Sequence, residues 1–159
     1  VLKGHIAVVT SNLETHYNGK LIDKRARACL KKSGLDYDHG TGHGVGFFSN
    51  VHEGPQAISR YNTLRLQQGM VLSNEPGYYR KGKFGIRIEN LLYIKKNYQK
   101  LSFVNLTLAP IDLDLINLDL LTRKEKNYLF SYHLNIYLNL SKYLNKKEKK
   151  WLAGFIKHF

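Results

Sequence analysis

The sequence predicts an α+β protein: an antiparallel β-sheet with helices on its outer face, followed by further helices at the C-terminus. Three observations carry this. Ile22, Ala26, Cys29 and Leu30 recur at i, i+4, i+7 and i+8, one face of a helix. The stretch from Phe84 to Ile94 alternates like a strand. Thr122, with Glu125 three residues on, is a capping-box signature that opens a long C-terminal helix.

Taken in order, Val1 to Val9 reads as a helix or strand, and Asn12 to Lys20, with Asn18-Gly19, as a loop. The helix from Ile22 should stop at Ser33-Gly34, where glycine takes the left-handed C-cap conformation. Its other face, Lys24, Arg25, Arg27, Lys31 and Lys32, is expected to meet solvent. Between Asp36 and Pro55 lie three of the seven histidines. His39 and His43 have helical zinc spacing, but Gly40, Gly42, Gly44 and Gly46 each disfavour helix, so this reads as extended backbone shaped around a ligand.

A polar loop follows from Ser59 to Gln68. Met70 to Ser73 then extends into Asn74-Glu75-Pro76-Gly77, where Pro-Gly marks a turn. Arg80 to Lys83 is a hairpin connection leading into the Phe84–Ile94 strand, which puts Ile86 and Ile88 on one face and Arg87 and Glu89 on the other. Leu101 to Leu108 is the next strand, ended by Ala109-Pro110. The helix after Thr122 should run to about Leu144 with Leu129, Tyr132, Ile136, Leu140 and Tyr143 inward. A last helix, Lys146 to Phe159, should dock through Trp151, Leu152, Phe155 and Ile156.

At 159 residues, 43% of them hydrophobic, the chain has the size of one globular domain. The single cysteine rules out an internal disulfide framework and makes a reducing, cytoplasmic setting the default. No apolar run approaches the ~20 residues of a membrane span. The net charge is +13, and from Arg123 onward nine Lys/Arg stand against two Glu, so over half of the excess sits in the last quarter. A solvated basic surface is the favoured reading, ahead of a nucleic-acid or other polyanion partner.

His39, His43, His52, Glu75, Arg87 and Glu89 stand out as chemistry-bearing residues. Carboxylates with imidazoles suit Mn²⁺, Co²⁺, Fe²⁺ or Zn²⁺ rather than thiolate-seeking metals. Structural readings compete: a lone strand histidine is commonly just hydrogen-bonded, Glu75 could serve the Pro-Gly turn, and Glu89 could simply pair with Arg87.

The run His39-Gly-Thr-Gly-His43-Gly-Val-Gly, then Asn50-Val-His52-Glu-Gly-Pro55, resembles the aminopeptidase P (Xaa-Pro aminopeptidase) branch of the pita-bread metallopeptidases. So do Gly69-Met-Val-Leu-Ser-Asn-Glu75-Pro-Gly-Tyr-Tyr79, Phe84-Gly-Ile-Arg87-Ile-Glu89-Asn90 and Leu106-Thr-Leu-Ala-Pro-Ile111, in that order. The resemblance implies that residues 1–112 are the C-terminal portion of a pita-bread catalytic domain and 113–159 a helical extension. It implies a site of two divalent metal ions, with Mn²⁺ favoured over Co²⁺ or Zn²⁺, held by two Asp, one His and two Glu. His43, Glu75 and the bridging Glu89 match three of these ligands. Glu75 would also accept the nucleophile's proton, and His52 would stabilise the oxyanion. His39 would line the proline pocket and Arg87 would order the carboxylates. The implied substrate is a peptide with proline second, which loses its N-terminal residue.

The family's two Asp ligands lie before the segment that begins here with Val1, and no such pair precedes His39. The chain is therefore expected to be a truncated part, inactive alone, with a complementing N-terminal segment or a second copy of itself as partner. A non-catalytic pita-bread binding module with a basic surface, or a gene remnant, is the alternative.

Overall fold

Pro76 divides what would otherwise be one long β-hairpin. The computed structural model, which describes residues 1–48 and 50–157, pairs β3 (Val71–Asn74) with β6 (Asn90–Asn97), and β4 (Gly77–Arg80) with β5 (Phe84–Arg87), all antiparallel. Asn74 pairs with Asn90 and Gly77 with Arg87. Both pairs belong to one register, so Glu75 lies across from Glu89 and Pro76 across from Ile88. Proline has no N–H for a ladder. Ile88 N–H still donates to the Pro76 carbonyl at 3.4 Å, but nothing is returned, and pairing stops for two residues on each side. The expected continuous Phe84–Ile94 strand is thus two strands, and Pro76-Gly77 does not reverse the chain.

The remaining strands are short. β1 (Gly42–His43) pairs with β2 (Ala57–Ile58), and β7 (Lys100–Asn105) adds to the other edge of β6, giving the order β3-β6-β7. β7 ends at Asn105, before the expected Leu108, where the Leu106 N–H turns to the Leu91 carbonyl. β1 runs beside β3, since Gly44 bridges Leu72 and Val45 N–H donates to the Val71 carbonyl. Gly42 passes so close to the Ser73 carbonyl that a Cβ would collide with it. That contact, rather than turn chemistry, explains this glycine.

Two compact units make up the chain, Val1–Thr107 and Leu108–Phe159. In the first, α1 (Leu2–Val9) and α2 (Gly19–Lys32) cover one face of the sheet. Val8, Leu13, Ile22 and Ala26 pack with Ile58, Leu72, Leu92, Ile94 and Phe103. Leu72 faces Leu92 and Ile94 faces Phe103 across the ladders, as period-2 burial demands. Asn18 caps α2 by accepting the Leu21 N–H. Gly34 ends it in the left-handed region at φ +70°, with Leu35 N–H to the Leu30 carbonyl and Gly34 N–H to the Lys31 carbonyl, a Schellman stop.

One residue of the expected solvent face is misplaced. Arg27 is only 2% exposed. Asp23, one turn earlier, accepts its Nε–H at 2.9 and 2.8 Å. A buried charge persists when paired and fully hydrogen-bonded, and the apolar periodicity alone did not reveal that pairing.

In the second unit, α3 (Arg123–Leu140) starts from the expected Thr122–Glu125 capping box, and α4 (Lys146–Gly154) starts from another, Asn145–Glu148. Tyr132, Ile136 and Leu152 form its core, with Leu140 and Phe155 packed against them. Tyr143 and Trp151, expected inward, are 74% and 60% exposed. A 3-10 turn at Ser141–Tyr143 breaks the helical phase before Tyr143. α4 ends at Gly154, and the expected continuation to Phe159 runs into residues outside those described. Among the described residues no helix is long and apolar enough to cross a membrane.

Candidate metal centre

Strand alternation through the interrupted hairpin sorts its side chains into two sets. Odd-numbered Ser73, Glu75, Tyr79, Arg87 and Glu89 share one face, while Leu72, Leu92 and Ile94 pack into the core on the other. Glu75 and Glu89 fall at a non-hydrogen-bonded position, where opposed side chains are closest. β1 brings His43 in from the other side. One ligand atom from each of His43, Glu75 and Glu89 can be chosen so that all lie within 4.8 Å of one another.

Hydrogen bonds define the state of each group. His43 Nδ1 donates to the Gly44 carbonyl at 2.9 Å, and its Nε2 lies 3.3 Å from Glu75 Oε1. The His43 N–H donates to Ser73 Oγ at 2.9 Å, and the Ser73 hydroxyl donates to Glu75 Oε1 at 2.7 Å. Glu75 N–H donates to the Thr41 carbonyl at 2.8 Å. Both the backbone of Glu75 and one of its carboxylate oxygens are therefore held.

Arg87 reaches Glu75 Oε2 through Nη1 at 3.2 Å and donates from Nε to the Tyr79 hydroxyl oxygen at 2.7 Å. That bond, with the charges of Glu75 and Glu89, outweighs desolvation and holds the guanidinium above its ordinary pKa. Because arginine only donates, the Tyr79 proton is left for His39 Nε2 at 2.9 Å, and His39 Nδ1 then donates to the Gly40 carbonyl at 2.7 Å. His52 stacks on His43 with ring centroids 3.9 Å apart and is exposed.

All six residues singled out in the sequence therefore converge: His43, Glu75 and Glu89 on one another, Arg87 on Glu75, His39 through Tyr79, and His52 on His43. Sequence reasoning missed Ser73 and Tyr79. Both sit inside the Gly69–Tyr79 motif on the same strand parity as Glu75, which is the signal that could have found them.

The donor set fits a divalent cation. It offers one imidazole nitrogen and two carboxylates, and His43 donates its other ring N–H to a backbone carbonyl, a common arrangement behind metal ligands.

Residues 1–96 match the model of metallopeptidase family M24, and residues 99–158 the model of the C-terminal region of peptidase M24. The chain belongs to metallopeptidase family M24. It is similar to a probable Xaa-Pro aminopeptidase P of Coprinopsis cinerea, with 46% identity over 96% of this chain and 26% of that protein. It is also 45% identical to Xaa-Pro aminopeptidase 1 of Dictyostelium discoideum, over 99% of this chain and 27% of that one. Among solved structures it resembles the X-prolyl aminopeptidase of Caenorhabditis elegans, described as a cytosolic enzyme with a di-nuclear active site. The TM-score is 0.86 at 39% identity, covering 98% of this chain and 27% of that one. The prolidase of Pyrococcus furiosus matches less of the chain, with a TM-score of 0.55 at 33% identity over 65%. The fold is thus α+β and part of a pita-bread domain. The chain spans about a quarter of the length of the curated relatives it matches.

Proposed function

We propose that this chain forms part of a metal-dependent Xaa-Pro aminopeptidase, which hydrolyses the bond between the N-terminal residue of a peptide and a proline in second place. One observation carries the reading: one ligand atom from each of His43, Glu75 and Glu89 lies within 4.8 Å of the others, with His43 Nε2 3.3 Å from Glu75 Oε1. Relatives named Xaa-Pro aminopeptidase support the reaction class, and a relative with a di-nuclear site supports two divalent metals.

In this reading His43, Glu75 and Glu89 are metal ligands, Glu89 bridging, and Mn²⁺ is the preferred ion. A bound metal pair supplies Lewis-acid activation of water and of the scissile carbonyl. Glu75 accepts the proton released by the attacking water at a carboxylate oxygen, while Arg87 holds that carboxylate in place. His52, stacked on His43 and open to solvent, donates toward the developing oxyanion. His39, oriented by Tyr79, walls the proline pocket. Residues 1–112 belong to the catalytic domain and 113–159 to its helical extension. The protein works in the cytoplasm, as its nematode relative does.

The two remaining carboxylate ligands come from a complementing N-terminal segment, a second copy of the chain being the alternative partner, and the 159 residues alone do not turn over substrate. Calorimetric titration with Mn²⁺ tests the site: the chain should bind measurably, and Glu89→Ala should abolish it. Indistinguishable titrations of the two would overturn the ligand assignment. An assay with Xaa-Pro peptides should show no more product than Glu75→Gln gives. Turnover by the unaltered chain would show that other side chains complete the site.

A further inference from the structure

The glycine-rich stretch and the strand that carries Glu75 run side by side as a second, shorter ladder. Val45 N–H donates to the Val71 carbonyl at 3.2 Å, Gly44 bridges Leu72, and Glu75 N–H donates to the Thr41 carbonyl at 2.8 Å. All three contacts belong to one antiparallel register. Hydrogen-bonded pairs fall at every second position of such a ladder, so Val45 with Val71, His43 with Ser73 and Thr41 with Glu75 are the bonded pairs. At the middle pair the His43 N–H should meet the Ser73 carbonyl. It meets the Ser73 hydroxyl instead, at 2.9 Å. The carbonyl lies against Gly42, where a Cβ would collide with it.

Exchanging a carbonyl for a hydroxyl changes what this rung can do. A carbonyl only accepts, whereas a hydroxyl accepts and donates. Ser73 Oγ accepts the His43 N–H and passes its own proton to Glu75 Oε1 at 2.7 Å. Hydrogen bonds thus run from the backbone of His43 to the side chain of Glu75, and that same Oε1 lies 3.3 Å from His43 Nε2. Ser73 is 0% exposed, so water does not compete for its hydroxyl. The other carboxylate oxygen, Oε2, is left to Arg87 at 3.2 Å. With one partner on each oxygen, the carboxylate presents Oε1 to the imidazole.

We infer that Ser73 is a positioning residue for the metal centre: its hydroxyl couples His43 to Glu75 and presets the spacing of one imidazole and one carboxylate ligand before a metal binds. This rests on the reading of His43 and Glu75 as metal ligands. The Ser73 proton is committed to Glu75, so the hydroxyl acts through the carboxylate. Ligands held in place by neighbouring hydrogen bonds need less ordering when the ion arrives.

Ser73→Ala removes the hydroxyl and leaves the carbonyl, whereas Ser73→Thr keeps an Oγ–H on a side chain that suits a strand. In Mn²⁺ titrations followed by calorimetry, Ser73→Ala should weaken binding about tenfold to a hundredfold, as loss of groups supporting metal ligands typically does, and Ser73→Thr should recover most of it. A folded Ser73→Ala chain that binds as tightly as the unaltered one would overturn the inference while leaving the ligands standing. Equal weakening in Ser73→Ala and Ser73→Thr would overturn it too, because a role in packing alone predicts no rescue by a hydroxyl. Equal titrations of the unaltered chain and Glu89→Ala would remove the metal reading and this inference with it. One further measurement does not depend on any variant folding. In the unaltered, metal-free protein the Ser73 hydroxyl proton should exchange slowly enough to give an NMR signal with a nuclear Overhauser contact to the His43 amide proton. A hydroxyl signal lost to fast exchange would overturn the coupling.

Discussion

Arg27 and Arg87 each hold carboxylates, yet their surroundings differ in every respect that matters. Arg27 is buried and its donors are used: Nε on Asp23, Nη1 on Asp36 Oδ1 at 2.7 Å and the Tyr37 carbonyl at 2.6 Å, and Nη2 on the His39 carbonyl at 2.6 Å. The Tyr37 ring covers it at 3.8 Å, and Thr41 donates to Asp23 at 2.6 Å. Arg87 is exposed and serves Glu75 through a single 3.2 Å contact, with Glu89 adding a second negative charge. One network is closed, with Arg60 as a second guanidinium on Asp36 Oδ2 at 2.9 Å; the other is open and has more carboxylate than guanidinium. A saturated buried network has no capacity left for a ligand and works as a fastener. Here it fastens the backbone of His39. The unsaturated network is where a cation gains most.

The sharpest way to break the comparison is the same substitution at both arginines. Arg27→Met strands Asp23 in the interior and should cost about 3–5 kcal/mol of stability. Arg87→Met removes a largely solvated contact and should cost less than about 1 kcal/mol. Urea unfolding monitored by circular dichroism would measure both, and equal losses would erase the distinction.

Acid should separate the two regions next. Burial pushes His5 down to about 4, so the ring is neutral in the folded chain. The unfolded chain takes up this proton below about pH 6.5. His5 therefore contributes stability that is fully present above pH 6.5 and is lost as pH falls toward 4, about 3 kcal/mol in all. Asp36 behaves differently. Burial pushes it up, but the Arg27 hydrogen bond, the Tyr37 N–H and the charges of Arg27 and Arg60 outweigh that and hold it below the ordinary carboxylate value of 3.8. The Arg27 network thus keeps its charge through the window in which His5 fails. Unfolding free energies between pH 7 and 4 should fall in the unaltered chain and fall less in His5→Phe; parallel slopes would count against the assignment.

The smallest effect concerns the opposed carboxylates. Without metal, Glu89→Gln removes one of two like charges across the ladder and should raise stability by a few tenths of a kcal/mol. The same change should weaken Mn²⁺ binding. A loss of stability in thermal melts of the metal-free variant would mean that Glu89 is a structural partner of Arg87 instead.

Much of this was legible in the chain before any coordinates. Helix stops and starts are local: Gly34 can take φ +70° and Thr122–Glu125 can close on itself whatever lies elsewhere. The residues of the metal centre were legible too, since Glu75, Arg87 and Glu89 share strand parity and the histidines sit in glycine-rich backbone. The sequence did not show that Arg27 is buried, because its partners Asp36, Tyr37 and His39 arrive from beyond the helix. Nor did it show that Tyr143 points outward, because a 3-10 turn resets the helical phase there, or that α4 seats Leu152 in the core and leaves Trp151 exposed.

By itself, then, the sequence singled out the side chains of the candidate site and which segments are helix or strand, because periodicity and capping act over a few residues. Only the tertiary structure decided that Pro76 splits the hairpin, that Glu75 and Glu89 oppose each other across the gap, and that His5 is buried with its carbonyl on Asn74. Those facts depend on register between strands and on a helix packed from far along the chain, and local sequence exerts no force on either.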